Sequence, residues 1–533
     1  MQEQQNNGMG KFLKLVAWGV VIVAAVNVFS TWNNAPKKEL DVNSGNWTKL
    51  SLILQQIDRN YVDSIDHKDY IEKILPNIMS SLDPHSSYLP PVELEEADAS
   101  LEGNFGGIGV QFNVPNDTAT IISVIPGGPS EKVGILSGDK IIKVDGKVVA
   151  GVKINQDSLV KSLKGEEGTI VKVEIKRDDV DDILSFSIER GKIPVKSIDV
   201  AMMMNDSLAY VKLSKFTKSS YKEFLESVVP LKEQGMKHMV FDLRGNTGGY
   251  LDQALLLSNE FLQKEQLIVY MKGAHRKKEE FFADGTGKLI DVNLYVLIDE
   301  TSASSSEIFA GAIQDNDRGT IFGRRSYGKG LVQEPIYFTD KSGIRLTVAR
   351  FYTPTGRCIQ KPYSEDYKYD IYERYRHGEM IAADSIRVND SLKYVTPKGK
   401  VVYGGGGIIP DEFVPIDTVG VTDFLIKCNR KSLAIKYSNE LARELRSELR
   451  EVKTFQQYNK LISGVDIKGG FLNYARENGV VPRSGEWKIS EQVIIMQIKA
   501  LVGRYTILDD NAFYPYILEI DNVMDRVKEV INT

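Results

Sequence analysis

Serine and threonine residues follow directly after a short apolar segment in the second half of the chain. Residues 294–298 predict a buried strand, residues 301–306 are almost all hydroxylated, and residues 307–314 have the apolar spacing of a helix. Backbone N–H groups at the start of a helix lack partners within the helix, and the helix dipole favours negative charge there. A serine at this turn is therefore well placed to be a nucleophile in a reaction that develops an oxyanion.

A lysine between two glycines lies downstream of this turn. Lys329 is flanked by Gly328 and Gly330, and Gln333 follows four residues later. A serine hydroxyl needs a base to take its proton, and none of the five histidines lies in residues 294–333. A lysine can be that base if burial lowers its pKa from about 10.4 toward 7, which costs about 4 kcal/mol. The alternative is that the serines only cap a helix and the glycines only form a turn.

This stretch resembles the signature of the C-terminal processing proteases, also called tail-specific proteases. The shared motifs are S-A-S-S-S-E-I at residues 302–308, Q-D at 314–315 and Y-G-K-G-L-V-Q at 327–333. The resemblance implies that Ser304 is the nucleophile, Lys329 the general base and Gln333 the residue that supports the lysine. Ser305 and Tyr327 stand where alanine and phenylalanine are more usual, and neither change removes a required functional group.

A second glycine-rich segment, residues 239–251, reads as a strand that breaks into a loop. Alone, such a unit could cradle a phosphate, but it lacks the P-loop pattern and its spacing is not that of a dinucleotide-binding fold. The resemblance implies that Gly249 or Gly248 supplies one N–H of an oxyanion hole and that Ser305 supplies the other. The aspartate and arginine of its D-L-R triplet are expected to brace the loop rather than to react.

Residues 100–190 alternate like short strands and resemble a PDZ domain. The resemblance rests on two motifs, G-G-I-G-V at residues 106–110 and L-S-G-D-K-I-I-K-V-D-G at residues 136–146. The glycine-rich loop would present backbone N–H groups to the carboxylate of a protein tail, and the next strand would pair with the tail. The alternative is a plain β-domain with a glycine-rich hairpin. The predicted peptide-binding residues are Gly107, Ile108, Gly109 and Val110.

The N-terminal segment predicts that the protein is exported from the cytoplasm. Residues 15–29 are apolar apart from Asn27, a length between that of a signal-peptide core and a short membrane span. Trp18 and Trp32 suit a membrane interface, and the segment has no clean small-residue cleavage site. We therefore expect export to a bacterial periplasm, with residues 15–32 anchoring the chain in the inner membrane.

Composition excludes several classes of protein. The chain has 533 residues, 42% of them hydrophobic and 26% charged, which indicates several soluble domains. Its net charge of -5 gives no sign of nucleic-acid binding. The cysteines, Cys358 and Cys428, show no metal-ligand spacing, and the serine–lysine chemistry implied by the resemblance requires no metal or cofactor.

Three further segments have weaker signals. His85 lies in the proline-punctuated loop at residues 80–91, and the resemblance implies that it is structural rather than catalytic. Residues 363–400 are charged and tyrosine-rich, so we interpret them as a surface insertion. Residues 433–452 form a charged amphipathic pattern that is at most a partner surface or a homo-oligomer surface.

These observations predict an α/β multidomain protein, with a crotonase/ClpP-like protease core, an inserted β-rich PDZ domain and helical N- and C-terminal regions. We expect a serine endopeptidase that binds the free C-terminus of a protein substrate. Two alternatives are a PDZ scaffold with an inert core and a crotonase-like acyl-CoA enzyme. The predicted boundaries are 1–33 for the anchor, 34–98 for the N-terminal helical region, 99–190 for the PDZ domain, 191–420 for the protease core and 421–533 for the C-terminal helical region.

Overall fold

The computed structural model describes residues 48–114, 117–178, 180–364 and 367–532. The predicted membrane anchor, residues 15–32, lies outside the described residues. Within the described part of the chain, no helix is long and apolar enough to cross a membrane. The chain divides into two units between Ile74 and Leu75.

The region before the PDZ domain is mainly helical, as predicted. A short strand nevertheless interrupts it inside the proline-punctuated loop, and this strand pairs antiparallel with β18 (Gly343–Tyr352) of the protease core. The last helix of the region begins at a proline, which needs no backbone donor in a first turn. The elements are α1 (Thr48–Asn60), α2 (His67–Ser80), β1 (Ser87–Leu89) and α3 (Pro91–Glu102).

The PDZ region is a small antiparallel sheet in the order β3-β4-β5-β7-β8, with β6 paired to β5. Its buried positions alternate along β7 (Ile170–Lys176), so one face forms an apolar core while the other faces outward. A separate pair, β2 (Asn104–Gly107) and β9 (Gly191–Pro194), closes the base of the region. The other elements are β3 (Val110–Asn113), β4 (Ala119–Val124), α4 (Pro129–Lys132), β5 (Lys140–Val144), β6 (Lys147–Val148), α5 (Gln156–Leu163) and β8 (Ile183–Glu189).

The predicted protease core is built on a sheet in the order β10-β11-β12-β15-β16-β21, parallel except for the first pair. Alternate side chains of β11 and β12 enter two apolar clusters, one on each face. Helices cover both faces, so the central strands are apolar almost throughout. The sheet strands are β10 (Ile198–Met203), β11 (Leu208–Leu213), β12 (His238–Asp242), β15 (Asn293–Ile298), β16 (Gly319–Gly323) and β21 (Glu412–Phe413), and the helices on one face are α6 (Ser220–Glu233), α7 (Leu251–Asn259) and α8 (Ser305–Asp315).

A second sheet carries the segment that follows the candidate lysine. It has the order β1-β18-β13-β14, and β17 also pairs with β18. β1 and β17 pair with the two opposite edges of β18, and the Gln333 side chain of β17 contacts the N-terminal loop at the His85 carbonyl. The remaining elements of this part are β13 (Leu267–Lys272), β14 (Glu279–Phe282), β17 (Leu331–Tyr337), α9 (Asp370–Arg376), β19 (Lys393–Val395) and β20 (Val401–Tyr403).

Helices make up the C-terminal region, as predicted, and they have an apolar core of their own. The region also contacts the PDZ sheet: Arg446 Nη2 donates to the Ser137 carbonyl at 2.9 Å, and Asn113 Nδ2 donates to Asn439 Oδ1 at 2.9 Å. The predicted partner surface at residues 433–452 therefore contacts a domain of its own chain. The helices are α10 (Asp423–Arg430), α11 (Leu433–Glu444), α12 (Arg446–Glu451), α13 (Phe455–Ser463), α14 (Ile467–Glu477), α15 (Glu486–Gly503), α16 (Asp510–Ile517) and α17 (Asn522–Asn532).

Candidate active site

Ser304 lies at the turn between β15 and α8, where the sequence places the nucleophile. Its backbone has φ +55° and ψ −112°, a conformation that non-glycine residues rarely adopt. The turn before it is fixed by Asp299, whose carboxylate accepts hydrogen bonds from the N–H groups of Thr301 and Ser302 at 3.0 and 3.1 Å. Strained backbone of this kind persists only where its surroundings hold it, and it is concentrated at functional sites.

The glycine loop after β12 lies directly against Ser304. A Cβ atom on Gly248 would come within 2.8 Å of both Ser304 Cβ and the Ala303 carbonyl oxygen, and Gly248 has φ +99°. Any side chain at this position would therefore push the two segments apart. The glycine lets the loop approach closely enough for its N–H groups to reach an oxygen atom bound at Ser304.

The backbone donors of the predicted oxyanion hole are not equivalent. The Gly248 N–H donates to Asn246 Oδ1 at 2.8 Å, whereas the N–H groups of Gly249 and Ser305 donate no hydrogen bond to any described residue. The Ser305 hydroxyl donates to the Gly249 carbonyl at 2.9 Å, which ties the two segments together. This arrangement favours Gly249 over Gly248 as the partner of Ser305.

Lys329 and Gln333 are in direct contact. Lys329 Nζ donates to Gln333 Oε1 at 2.8 Å, and Gln333 Nε2 donates to the His85 carbonyl at 2.8 Å. His85 thus supports the site through its backbone. No hydrogen bond joins Ser304 Oγ to Lys329 Nζ among the described residues, and such bonds often tighten only when substrate is bound.

The surroundings of Lys329 favour its neutral amine. Burial lowers the pKa of Lys329 below its ordinary value, the positive charge of Arg345 lowers it further, and Glu307 and Asp83 oppose the change. Burial also lowers the pKa of His85, to about 4, with the charge of Lys329 adding to the effect. Lys329 is also the group that Gln333 orients, so it remains the candidate base.

Glu307 connects the serine turn to the lysine loop, and the sequence analysis missed it. Its fully buried carboxylate accepts hydrogen bonds from the N–H groups of Ser304 and Lys329, both at 2.9 Å. It also accepts from the Gly328 N–H at 2.6 Å and the Ser326 hydroxyl at 2.5 Å. Burial raises its pKa, and these donors oppose that effect. A serine followed three residues later by glutamate is a capping-box signal, which could have pointed to this residue.

The PDZ loop has two backbone donors available. The N–H groups of Ile108 and Gly109 donate no hydrogen bond to any described residue, while their carbonyls accept from Ser130 and Ile125, both at 3.0 Å. Ile108 is only 3% exposed and lies in the domain core rather than in an open pocket. Val110 is half-buried at the start of β3, an edge strand with its outer side unpaired in the sheet.

Comparison with known proteins identifies the family. The family described as Peptidase family S41 matches residues 207–370, the PDZ domain family matches residues 106–188, and a family of unknown function (DUF8443) matches residues 424–507. The carboxy-terminal processing protease CtpA of Bacillus subtilis is 31% identical over 354 residues, which cover 66% of this chain and 75% of that protein. The chain belongs to the carboxy-terminal processing proteases of peptidase family S41.

A second relative and one solved structure are also similar to this chain. The carboxy-terminal-processing protease of Bartonella bacilliformis is 36% identical over 338 residues, covering 60% of this chain and 76% of that protein. Among solved structures, the photosystem II D1 C-terminal processing protease is 23% identical, with coverage of 73% and 91% and a TM-score of 0.38. Family membership does not favour the alternative of an acyl-CoA enzyme.

In this carboxy-terminal processing protease, most described residues at 381–400 are exposed, as expected for a surface segment, but part of residues 367–380 is buried, which corrects the prediction there. Arg374 is buried and donates to the carbonyls of Ser326 and Tyr327, at 2.7 and 3.2 Å, just before Lys329. Tyr367 is also buried, and its hydroxyl lies 2.6 Å from His85 Nε2. The segment supports the lysine loop from the outside.

The Q-D motif of the protease signature has a structural role. Arg357 is fully buried and donates to Asp315 Oδ1 at 2.6 Å and to Gln314 Oε1 at 2.7 Å. The pair fixes the end of α8 to the segment after β18. Within the described residues, no cluster of three or more histidine, cysteine, aspartate or glutamate side chains could hold a metal ion.

Proposed function

We propose that this protein is a serine endopeptidase that uses Ser304 and Lys329 to cleave proteins whose C-terminal tails bind its PDZ domain. The observation that carries the proposal is the 2.8 Å bond from the amine of the half-buried Lys329 to Gln333. Burial lowers the pKa of that amine, and Glu307 joins the backbone of Lys329 to that of Ser304. The backbone of the proposed base and that of the proposed nucleophile therefore share one hydrogen-bond acceptor, Glu307.

The proposed reaction has two halves. Ser304 Oγ attacks the scissile carbonyl carbon while its proton moves to Lys329 Nζ, and the oxyanion accepts hydrogen bonds from the N–H groups of Gly249 and Ser305. Lys329 then gives that proton to the leaving amine as the C–N bond breaks, which leaves an ester on Ser304. Water, deprotonated by the neutral lysine, hydrolyses the ester and restores the serine. Gln333 orients the lysine without adding a charge that would compete for its proton.

Tail recognition is proposed to occur at the PDZ loop. The unused N–H groups of Ile108 and Gly109 can donate to a terminal carboxylate, and the unpaired side of β3 can add a tail strand. A substrate held by its carboxylate has a high effective concentration near the catalytic site, which would select proteins with a free C-terminus.

A second candidate is a PDZ scaffold whose core does not cleave. The absence of a Ser304–Lys329 hydrogen bond among the described residues is the observation that favours it. An active enzyme in a resting state accounts for the same geometry, because substrate binding can close such a gap.

The proposed location is the bacterial periplasm, with residues 15–32 as an inner-membrane anchor. The apolar run at residues 15–29 and its flanking tryptophans support this placement. Cell fractionation of the full chain and of a variant without residues 1–33 tests it. A full chain that stays in the cytosolic fraction would contradict it.

Cleavage of an unfolded protein with an apolar C-terminal tail tests the proposed activity. We would compare the native enzyme, Ser304→Ala and Lys329→Ala, each with the tail carboxylate free or amidated. The proposal expects cleavage by the native enzyme, at least about a thousandfold slower in both variants, and slower cleavage of the amidated tail. Full activity in Ser304→Ala would refute the proposed nucleophile, and an inert native enzyme would favour the scaffold.

A further inference from the structure

The glycine loop of the candidate oxyanion hole is held by an arginine at its start. Arg244 follows β12, and its guanidinium contacts the carboxylate of Asp242 through Nε at 3.0 Å and through Nη2 at 2.6 Å. Its carbonyl accepts a hydrogen bond from Lys212 Nζ at 2.9 Å. These contacts fix the side chain and the backbone of Arg244, and they therefore fix the start of the loop that leads to Gly249.

Asp242 alone cannot accept hydrogen bonds from all the donors of the Arg244 guanidinium. Its buried carboxylate already accepts from the Tyr210 hydroxyl at 2.6 Å and from the Arg244 backbone N–H at 2.9 Å. Arg244 Nη1 has a single hydrogen-bond partner among the described residues, the carboxylate of Asp521 at 3.1 Å, and Nη2 also donates to Asp521 at 2.7 Å. Arg244 is therefore shared between one aspartate of the core and one from the end of the chain.

Asp521 is itself held in place by the helix that it precedes. Its Oδ1 accepts from the N–H groups of Val523 and Met524, at 3.0 and 3.3 Å, in the first turn of α17. Val523 and Met524 are buried in the apolar cluster on the face of the core sheet opposite to α8. The packing of α17 thus fixes the carboxylate that faces Arg244.

The charges in this group stabilise one another. Burial alone would lower the pKa of Arg244, but the negative charges of Asp242 and Asp521 raise it well above the ordinary arginine value. The Arg244 and Asp521 side chains are 19% and 11% exposed, so water can replace little of the lost contact if either partner is removed. A two-pronged arginine–carboxylate pair also fixes orientation, which a single contact does not.

We propose that Asp521 is a positioning residue for the oxyanion hole, acting through Arg244, so that docking of α17 is required for full catalytic rate. This role rests on the proposed function of Ser304, Gly249 and Ser305. Its effect is expected in turnover rather than in substrate binding, because an oxyanion forms only after the serine has attacked. According to this proposal, α17 affects the reaction rate at the oxyanion hole, although it packs on the opposite face of the core sheet from α8.

The test uses Asp521→Asn in the full chain, which keeps the shape of the side chain and removes its charge. The matched control is Asp525→Asn on the same helix, since the Asp525 side chain is exposed and, among the described residues, bonds only to the surface Lys528, at 3.2 Å. We expect kcat for the tail substrate to fall about tenfold in Asp521→Asn with KM changed less than about twofold, a fraction of the loss seen when an oxyanion donor is removed. A peptide boronate, which forms a tetrahedral adduct with a serine, should lose affinity by a similar factor, and Asp525→Asn should match the native enzyme in both measurements.

A purely structural role would give a different pattern. Equal kcat values in Asp521→Asn and Asp525→Asn, or an unchanged boronate affinity in Asp521→Asn, would overturn the proposal. Asp521→Glu, which keeps the charge, covers the case in which Asp521→Asn does not fold: its kcat should lie below the native value at unchanged KM, and a native kcat would overturn the proposal. A native enzyme that does not cleave, or a Ser304→Ala variant that does, would instead refute the proposed function on which this inference rests.

Discussion

The candidate catalytic site and the PDZ loop both offer backbone N–H groups to an oxygen atom, but the two regions are held in place by different means. At the catalytic site, the buried charges of Glu307 and Arg244 fix the segments that carry the donors. In the PDZ loop, Gly109 adopts φ +73° and packs against apolar side chains such as Ile193. The catalytic site therefore depends on charge in addition to close packing at Gly248, whereas the PDZ loop depends on packing alone.

This difference follows from what each site must do. Catalysis needs donors that are fixed before the oxyanion appears, since their advantage lies in requiring no rearrangement during the reaction. Tail binding needs only a carboxylate pocket and an open strand edge, so a tight backbone turn is sufficient. We therefore expect isosteric changes of charge to damage the first site and small changes of volume to damage the second.

The largest effect is expected for Lys329→Ala. Removal of the base should lower kcat at least about a thousandfold, whereas Lys222→Ala, at an exposed lysine of α6, should have no effect. Because burial lowers the pKa of Lys329, the neutral amine increases as pH rises through that lowered value. The kcat/KM of the native enzyme should therefore rise by about tenfold per pH unit on its acidic side and then level off.

A pH series of tail cleavage between about pH 6 and pH 10 checks this prediction. His85 cannot be the source of the rise, since its pKa of about 4 leaves it neutral throughout that range. A pH profile that keeps the same rise in Lys329→Ala would contradict the assignment of the base.

Glu307→Gln should have the next largest effect. In the variant, the glutamine side-chain NH2 group would face backbone N–H groups that donate to a carboxylate oxygen in the native protein. These buried N–H groups would be left unpaired, which should lower the folding stability by about 2 kcal/mol. The serine turn and the lysine loop would also lose their common anchor, so kcat should fall about a hundredfold.

Thermal unfolding and peptide cleavage measure these two effects. Glu280→Gln on β14 is the control, because the Glu280 side chain is exposed and, in the described part of the chain, bonds only to the surface Lys278. If Glu307→Gln retained native kcat, the buried carboxylate would not be what aligns the two segments.

Gly109→Ala tests the dependence of the PDZ loop on space. A Cβ atom there would lie 3.1 Å from Ile193 Cδ1, whereas a Cβ on Gly146, which has nearly the same φ, would meet nothing within 4 Å. Both alanines should cost about 1 kcal/mol through backbone strain. Only Gly109→Ala should also weaken binding of a free-tail peptide, by about tenfold, as measured by calorimetry. Equal tail affinities in the two variants would argue against this loop as the carboxylate site.

The smallest effect is expected where the C-terminal helices contact the PDZ sheet. Arg446→Gln removes the donor to the Ser137 carbonyl and should cost about 1 kcal/mol, the usual net contribution of one hydrogen bond. Hydrogen exchange should become faster in the turn that precedes β5, while Arg443→Gln, at an exposed arginine of α11, should leave it unchanged. Unchanged exchange in both variants would show that this contact does not hold the PDZ sheet.

Local sequence was enough to predict the elements around the serine. Residues 294–298 were predicted as a strand and form most of β15 (Asn293–Ile298), and the predicted helix at 307–314 lies within α8 (Ser305–Asp315). The helix begins earlier because the serines form its first turn. The Lys329–Gln333 contact joins residues only four positions apart, so their spacing in the sequence was enough to predict the contact.

Long-range partners could not be predicted in the same way. Arg244 and Asp521 are 277 residues apart, and Arg374 is 48 residues from the carbonyl of Ser326. Each has another charged residue within two positions, and charged residues usually lie on the surface, so the sequence does not show which partner each one has. Only the folded chain brings them beside the glycine loop and the lysine loop.

Covalent labelling with a serine-reactive fluorophosphonate, followed by mass spectrometry of the labelled peptide, tests the central claim most directly. The claim is that Lys329 activates Ser304. It predicts one adduct, on Ser304, that forms in the native enzyme and is lost or greatly slowed in Lys329→Ala. An adduct on another residue, or labelling of Ser304 at the same rate without Lys329, would contradict it.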